Sequence, residues 1–196
     1  MMIKRDLIFC VLIALNFIGT SLLADGDIVR LLDESDLKRI ERYEVDREAQ
    51  LISLKSTAVG ESETMLLRLL SADTQTVVNH FDPSGLWQCR FLKRNSNDEV
   101  IIYDWYRCRI YEDDLGYVLE KQTGSERTRG RFYNFNEEQL LYLGAFNHVN
   151  QIPYWYGRHP ERNQMGFLNA IDGQTLRLEF LSSYNPEVIE IIELKR

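Results

Sequence analysis

Residues 85–111 read GLWQCRFLKRNSNDEVIIYDWYRCRIY, and the reading of this stretch decides the fold. Trp87, Cys89 and Phe91 alternate with Gln88, Arg90 and Leu92; past the turn residues Asn95-Ser96-Asn97-Asp98, the residues Tyr106, Cys108 and Ile110 alternate with Arg107 and Arg109. Period-two alternation on both sides of a polar turn describes an antiparallel hairpin with one apolar face. A register that opposes Cys89 to Cys108 also opposes Trp87 to Ile110 and Phe91 to Tyr106, so the apolar pattern and the cysteines select the same pairing. The other face then carries Arg90, Arg94, Arg107 and Arg109, with Arg90 against Arg107. Like charges opposed across a ladder are unfavourable unless something neutralises them. If the next strand sets Glu120 opposite Arg107, an Arg–Glu–Arg row holds the sheet together. A sharper reading adds Arg127, Arg129 and Arg131 from TGSERTRGR and makes an anion site, because guanidinium groups bind carboxylates and phosphates bidentately. A third leaves the arginines solvated with no joint role.

Working outward, aromatic and β-branched runs separated by turn residues predict strands near 86–94, 100–111, 116–122, 129–135, 139–146, 164–171, 174–181 and 187–195. Glu112-Asp113-Asp114, Asn136-Glu137 and Asp172-Gly173 read as hairpin links, the last with a type I′ signal. Eight strands with short links favour an antiparallel up-and-down meander, and closing it into a barrel removes the exposed edges. Before it, residues 25–82 read as a helical, acidic arm. One helix covers Asp36–Glu48 and beyond, with Ser35 as N-cap and Leu37, Ile40, Leu51 and Leu54 as a narrow apolar stripe. A shorter helix, ESETMLLRLLSA, follows the break at Ala58-Val59-Gly60 and offers Met65, Leu66, Leu69 and Leu70 for packing. The expected fold is mainly β with N-terminal helices, an α+β arrangement: an eight-stranded, lipocalin-like barrel over 83–196 preceded by two helices.

Residues 1–24, MMIKRDLIFCVLIALNFIGTSLLA, carry Lys4 and Arg5 ahead of an apolar run from Leu7 to Ile18. About a dozen apolar residues are too few for a transmembrane helix of roughly 20, so the segment reads as a cleavable signal peptide, cut after Ala24 or else after Ser21. Cys10 leaves with it, and Cys89 and Cys108 remain as one expected disulfide in an oxidising compartment. The chain is then exported, periplasmic in a bacterium, with no membrane span after cleavage. With 23 basic and 30 acidic side chains and a net charge of −7, nucleic acid is excluded as the favoured partner.

Catalytic chemistry has no sequence signature. His80, His148 and His159 lie apart in loops without metal-ligand spacing, neither GxSxG nor SxxK occurs, and a disulfide consumes both remaining thiols. No metal or cofactor is expected. Asp113-Asp114 and Glu137-Glu138 sit in turns as solvated pairs, and Tyr154, Trp155 and Tyr156 read as aromatics closing a barrel end or stacking on a ligand.

The runs SGLWQCRFLK, YDWYRCRI, LEKQTGSERTRGRFY, YGRHPERNQMGFL and VIEIIEL, in this order, resemble an exported bacterial family known only as a domain of unknown function, number 4893. The resemblance points to Cys89, Arg90, Cys108, Arg109, Glu120, Thr123, Gly124, Ser125, Arg127, Gly130, Arg158, Glu161 and Arg162. LEFLSSYNPE departs from the family pattern near the last hairpin. Gly85-Leu86-Trp87 also resembles the GxW opening of lipocalin-like barrels and places Trp87 at a barrel end. That likeness implies binding of a small ligand or of an envelope protein. The expectation is a non-enzymatic binding barrel; the alternatives are an enzyme using the Arg/Glu cluster on an anionic substrate, or a structural envelope protein.

Overall fold

The computed structural model describes residues 28–75, 81–181 and 187–196; the expected signal peptide and His80 lie outside them. Two helices, α1 (Glu34–Thr57) and α2 (Glu61–Leu70), precede nine strands: β1 (Gly85–Arg94), β2 (Val100–Ile102), β3 (Tyr106–Asp113), β4 (Gly116–Lys121), β5 (Glu126–Asn134), β6 (Gln139–His148), β7 (Asn163–Asp172), β8 (Thr175–Phe180) and β9 (Ile189–Lys195). From β3 to β9 each strand pairs antiparallel with the next; β1 pairs with β2 and β3 on one side and with β9 on the other, which closes the sheet. Eight strands form the barrel, and β2 is an extra rung on β1. Among the described residues no helix is long and apolar enough to cross a membrane.

The strand expected over 100–111 is two strands. β2 pairs with β1 as Leu92↔Ile102, whereas β3 pairs as Cys89↔Tyr106, and Tyr103-Asp104-Trp105 absorb the one-residue difference between the two registers. Trp87 therefore faces Cys108, two positions from the expected register. A shift of two preserves the face on which each side chain lies, so the apolar set stays inward. The cysteines are diagonal neighbours with Cα atoms 5.8 Å apart, and they form the disulfide. The same correction sets Arg107 opposite Gln88; separately, the β3–β4 register puts Glu120 opposite Arg109, and the β1–β9 register puts Arg90 opposite Glu193. In the β7–β8 hairpin the loop is Gly173-Gln174, and neither residue takes the positive φ of a type I′ turn. Instead the Asp172 carboxylate accepts the Gln174 N–H at 2.8 Å.

Inward positions of the strands build one core from Trp87, Phe91, Ile110, Leu119, Phe132, Tyr142, Leu178 and Ile192 around the disulfide. Tyr142 lies over a notch made by Gly130 and Gly144, which face each other across β5 and β6; a Cβ on Gly144 would stand 2.2 Å from the Tyr142 oxygen. The helices pack on the outer surface. Tyr43 of α1 meets Leu143, Met165 and Phe167, while Leu54 of α1 and Leu66 and Leu70 of α2 meet Leu92, Ile189 and Ile191. Asp33, not Ser35, caps α1: its side chain accepts the Asp36 N–H at 2.9 Å, and Asp36 answers with the Asp33 N–H in a capping box. The C-terminal end of α2 is held by guanidinium groups under it. Arg177, fully buried, donates to Leu69 O at 2.6 Å, and Arg47 donates to Leu70 O at 2.5 Å. Glu179 sits between those two arginines and forms an ion pair with each.

Candidate functional site: the charged mouth of the barrel

Parity along the strands separates two ends of the barrel. One is closed. Trp87 is buried there, its indole N–H donates to Pro83 O at 2.9 Å, and the Arg196 guanidinium covers its ring at 4.5 Å. At the other end charged residues occupy inward positions. Lys93 is in phase with Cys89 and Phe91, Lys121 with Leu119, Glu126 with Thr128 and Phe132, and Glu190 with Ile192 and Leu194. All four come from strand ends that meet at this rim: the C-terminal ends of β1 and β4 and the N-terminal ends of β5 and β9.

Lys93 Nζ lies 3.0 Å from Glu190 and 3.6 Å from Glu126, and its ammonium stands 4.9 Å from the Phe91 ring centre. Burial pulls the Lys93 pKa down, but Glu190, by charge and hydrogen bond, and then Glu126 outweigh it and hold it above the usual 10.5. Lys121 differs. It is only 4% exposed, donates to the backbone carbonyls of Thr123 at 2.9 Å and Glu126 at 2.6 Å, and caps the Tyr106 ring at 4.0 Å. Burial pushes its pKa down to about 8, with Arg127 and Lys93 adding to the shift and Glu126 opposing it. Below the lysines, Thr128 donates to Gln164 at 2.6 Å and so accepts from the Tyr142 hydroxyl at 2.6 Å. Phe180 and Tyr106, partly buried, complete an aromatic floor, and Ile101 and Tyr103 on the inward side of the 100–105 segment are part-exposed at the rim. Lys93, Glu126 and Glu190 are part-exposed at the rim beside these rings, whereas Lys121 is buried among its carbonyl partners.

The strand arginines expected to form an anion cluster lie with Glu120 on the outer face, Arg158 and Arg162 lie in the β6–β7 connection, and together they do not form one group. Arg90 pairs with Glu193 at 2.7 Å and stacks on Trp105 beneath α2. Arg129 pairs with Glu120 at 3.0 Å, and Arg131 pairs with Asp113 at 2.5 Å; both guanidiniums approach the Trp155 ring, at 4.2 and 5.4 Å. Arg131 holds the Asp113 carboxyl at about 2, well below its usual 3.8. Arg127 donates to Gly124 O at 3.2 Å, and Thr123 accepts the Arg107 N–H at 2.8 Å, so the TGS-x-R segment shapes the β4–β5 turn around a Gly124 with φ of 88°. Arg158 is exposed in the β6–β7 loop, while Arg162 donates to Gln151 at 2.6 Å. In that loop Tyr156 donates to Asp36 of α1, and burial followed by the Asp36 contact raises its pKa. Trp155 and Tyr156 therefore tie barrel to helix.

Sequence reasoning missed Lys93, Lys121, Glu126 and Glu190. The signal was present: each stands at an apolar-face position of its strand, where a charge demands a partner or a purpose. Among the described residues no three His, Cys, Asp or Glu side chains gather as a metal would need. No curated protein and no solved structure matches the chain. The family model described as "Domain of unknown function (DUF4893)" matches residues 29–194, nearly the whole described span, and the chain belongs to that family.

Proposed function

We propose that the protein is an exported, periplasmic, non-enzymatic barrel that takes a small amphipathic ligand into its charged mouth. The observation that carries this reading is the gathering of Lys93, Lys121, Glu126 and Glu190 at inward positions of one rim, above aromatic rings. Four charges at positions that parity assigns to the core cost desolvation, which suits a site that exchanges water for a ligand. Tyr142 fills the cross-section below, between Gly130, Gly144 and Phe132, so the ligand lies in the mouth and not at mid-barrel. Export is supported by the signal-like residues 1–24 and by the Cys89–Cys108 bridge.

Native mass spectrometry of protein taken undenatured from its own compartment tests the reading. A small-molecule adduct that leaves on unfolding is expected. In parallel, 8-anilinonaphthalene-1-sulfonate should bind saturably, its rings on the aromatic floor and its sulfonate at Lys93, and Lys93→Glu should weaken it at least ten-fold. Bare protein with no saturable dye binding, or equal binding by the variant, would overturn the proposal.

A further inference from the structure

Arg107 and Arg109 leave the same outer face of β3, two positions apart and both exposed. Side chains so spaced on a strand start about 7 Å from each other. Across the ladders Arg107 meets the neutral Gln88, and Arg109 meets Leu86 and Glu120. Glu120 is already engaged: it pairs with Arg129 at 3.0 Å and accepts the Tyr111 hydroxyl at 3.1 Å. Neither Arg107 nor Arg109 has a carboxylate partner among the described residues, and the Arg109 guanidinium rests over the Tyr111 ring at 5.1 Å. Arg127, on the outer face of β5, turns its Nε to a carbonyl. In a chain of net charge −7, this wall concentrates positive charge that the protein leaves unneutralised. Beside it lies a cleft of about 590 Å³ whose lining includes Ser84, Leu86, Arg109, Tyr111, Glu112 and Gln122.

We propose that the Arg107–Arg109 face of β3 binds a small oxyanion carrying two or more charges, a phosphate or a polycarboxylate. Each guanidinium presents parallel N–H donors that match a planar or tetrahedral oxyanion, and one multiply charged ligand relieves the repulsion between the pair. The Tyr111 ring lies beneath Arg109, and Arg107 is flanked across the ladders by Gln88 and Gln122, neither of which carries a charge.

Calorimetric titration at low ionic strength, where exposed charges are least screened, tests this with inorganic pyrophosphate and with citrate. The wild-type protein should bind at least one of them at a single saturable site. Arg107→Gln with Arg109→Gln should weaken binding ten-fold or more. The charge-matched pair Lys55→Gln with Arg68→Gln, both exposed on the helices, should leave it unchanged. Binding of pyrophosphate alone assigns the site to phosphates, and binding of citrate alone assigns it to carboxylates. No saturable binding, equal binding by the arginine variant, or equal weakening in both variants would overturn the proposal.

Discussion

At the scale of single residues, Lys121 is the clearest departure from an ordinary environment. Its amine titrates near 10.5 in an unfolded chain and at about 8 inside the mouth. Between those values the unfolded state binds the extra proton, so this group makes stability rise as pH climbs from about 8 toward 10. Below pH 8 the barrel bears the full cost of a buried ammonium. Urea unfolding midpoints at about pH 7.5 and 9.5 should therefore show a smaller rise in Lys121→Met than in wild type; equal slopes would mean that the amine is solvated. Buried polar groups elsewhere differ in how far they are satisfied. Arg177 finds Leu69 O and Glu179, whereas the Tyr43 hydroxyl is buried with no hydrogen-bond partner among the described residues, and burial followed by Glu179 raises its pKa.

At the scale of elements, the Gly130–Gly144 rung matters most. Two glycines facing each other across a ladder remove side chains from the inside of the wall, and the Tyr142 ring fills the space. Gly144→Ala sets a methyl against that ring and should cost about 1–3 kcal/mol as overpacking, read as a lowered unfolding midpoint with an unchanged denaturant slope. Alternation makes β1 and β3 legible from the sequence because each has a buried and a wetter side, as in Trp87–Gln88–Cys89–Arg90, whereas β6, β7 and β8 are buried on both sides and read as continuous apolar runs. Registers were less legible. The turn at residues 95–99 sets the β1–β2 pairing three positions from the register that alternation suggests, the extra residue within Tyr103-Asp104-Trp105 returns one of them at β3, and no composition rule marks either. The β3–β4 hairpin is offset by two on its own, which puts Glu120 opposite Arg109 and not Arg107. The inward lysines and glutamates were legible in principle, since parity alone finds them. The arginines of the outer face outnumber them and are the stronger signal in the sequence. Tyr43 escaped because α1 uses it together with Leu54 as a contact on a curved surface, which a stripe of leucines does not describe.

At the scale of the whole molecule, the disulfide and the closing pair act on different parts of the chain. Cys89–Cys108 spans a loop of about 20 residues, for which chain entropy gives about 3 kcal/mol. Reduction should lower the unfolding free energy by that order while the far-ultraviolet spectrum of the folded barrel persists; an unchanged midpoint would show that the strand pairings alone fix the hairpin. The ring itself is completed by β1 and β9 over seven residue pairs, from Gln88↔Lys195 to Arg94↔Ile189. Those partners are separated by about a hundred residues of intervening chain, a long-range contact that forms slowly. A ribosome delivers β1 long before β9, so during synthesis the nascent chain has seven strands' worth of wall and no seam. Arg90 on the outer face gains Glu193, and Lys93 in the mouth gains Glu190, only when that last strand arrives. Until then one side of β1 and one side of β8 stand unpaired, the exposed edges that closure of the ring removes.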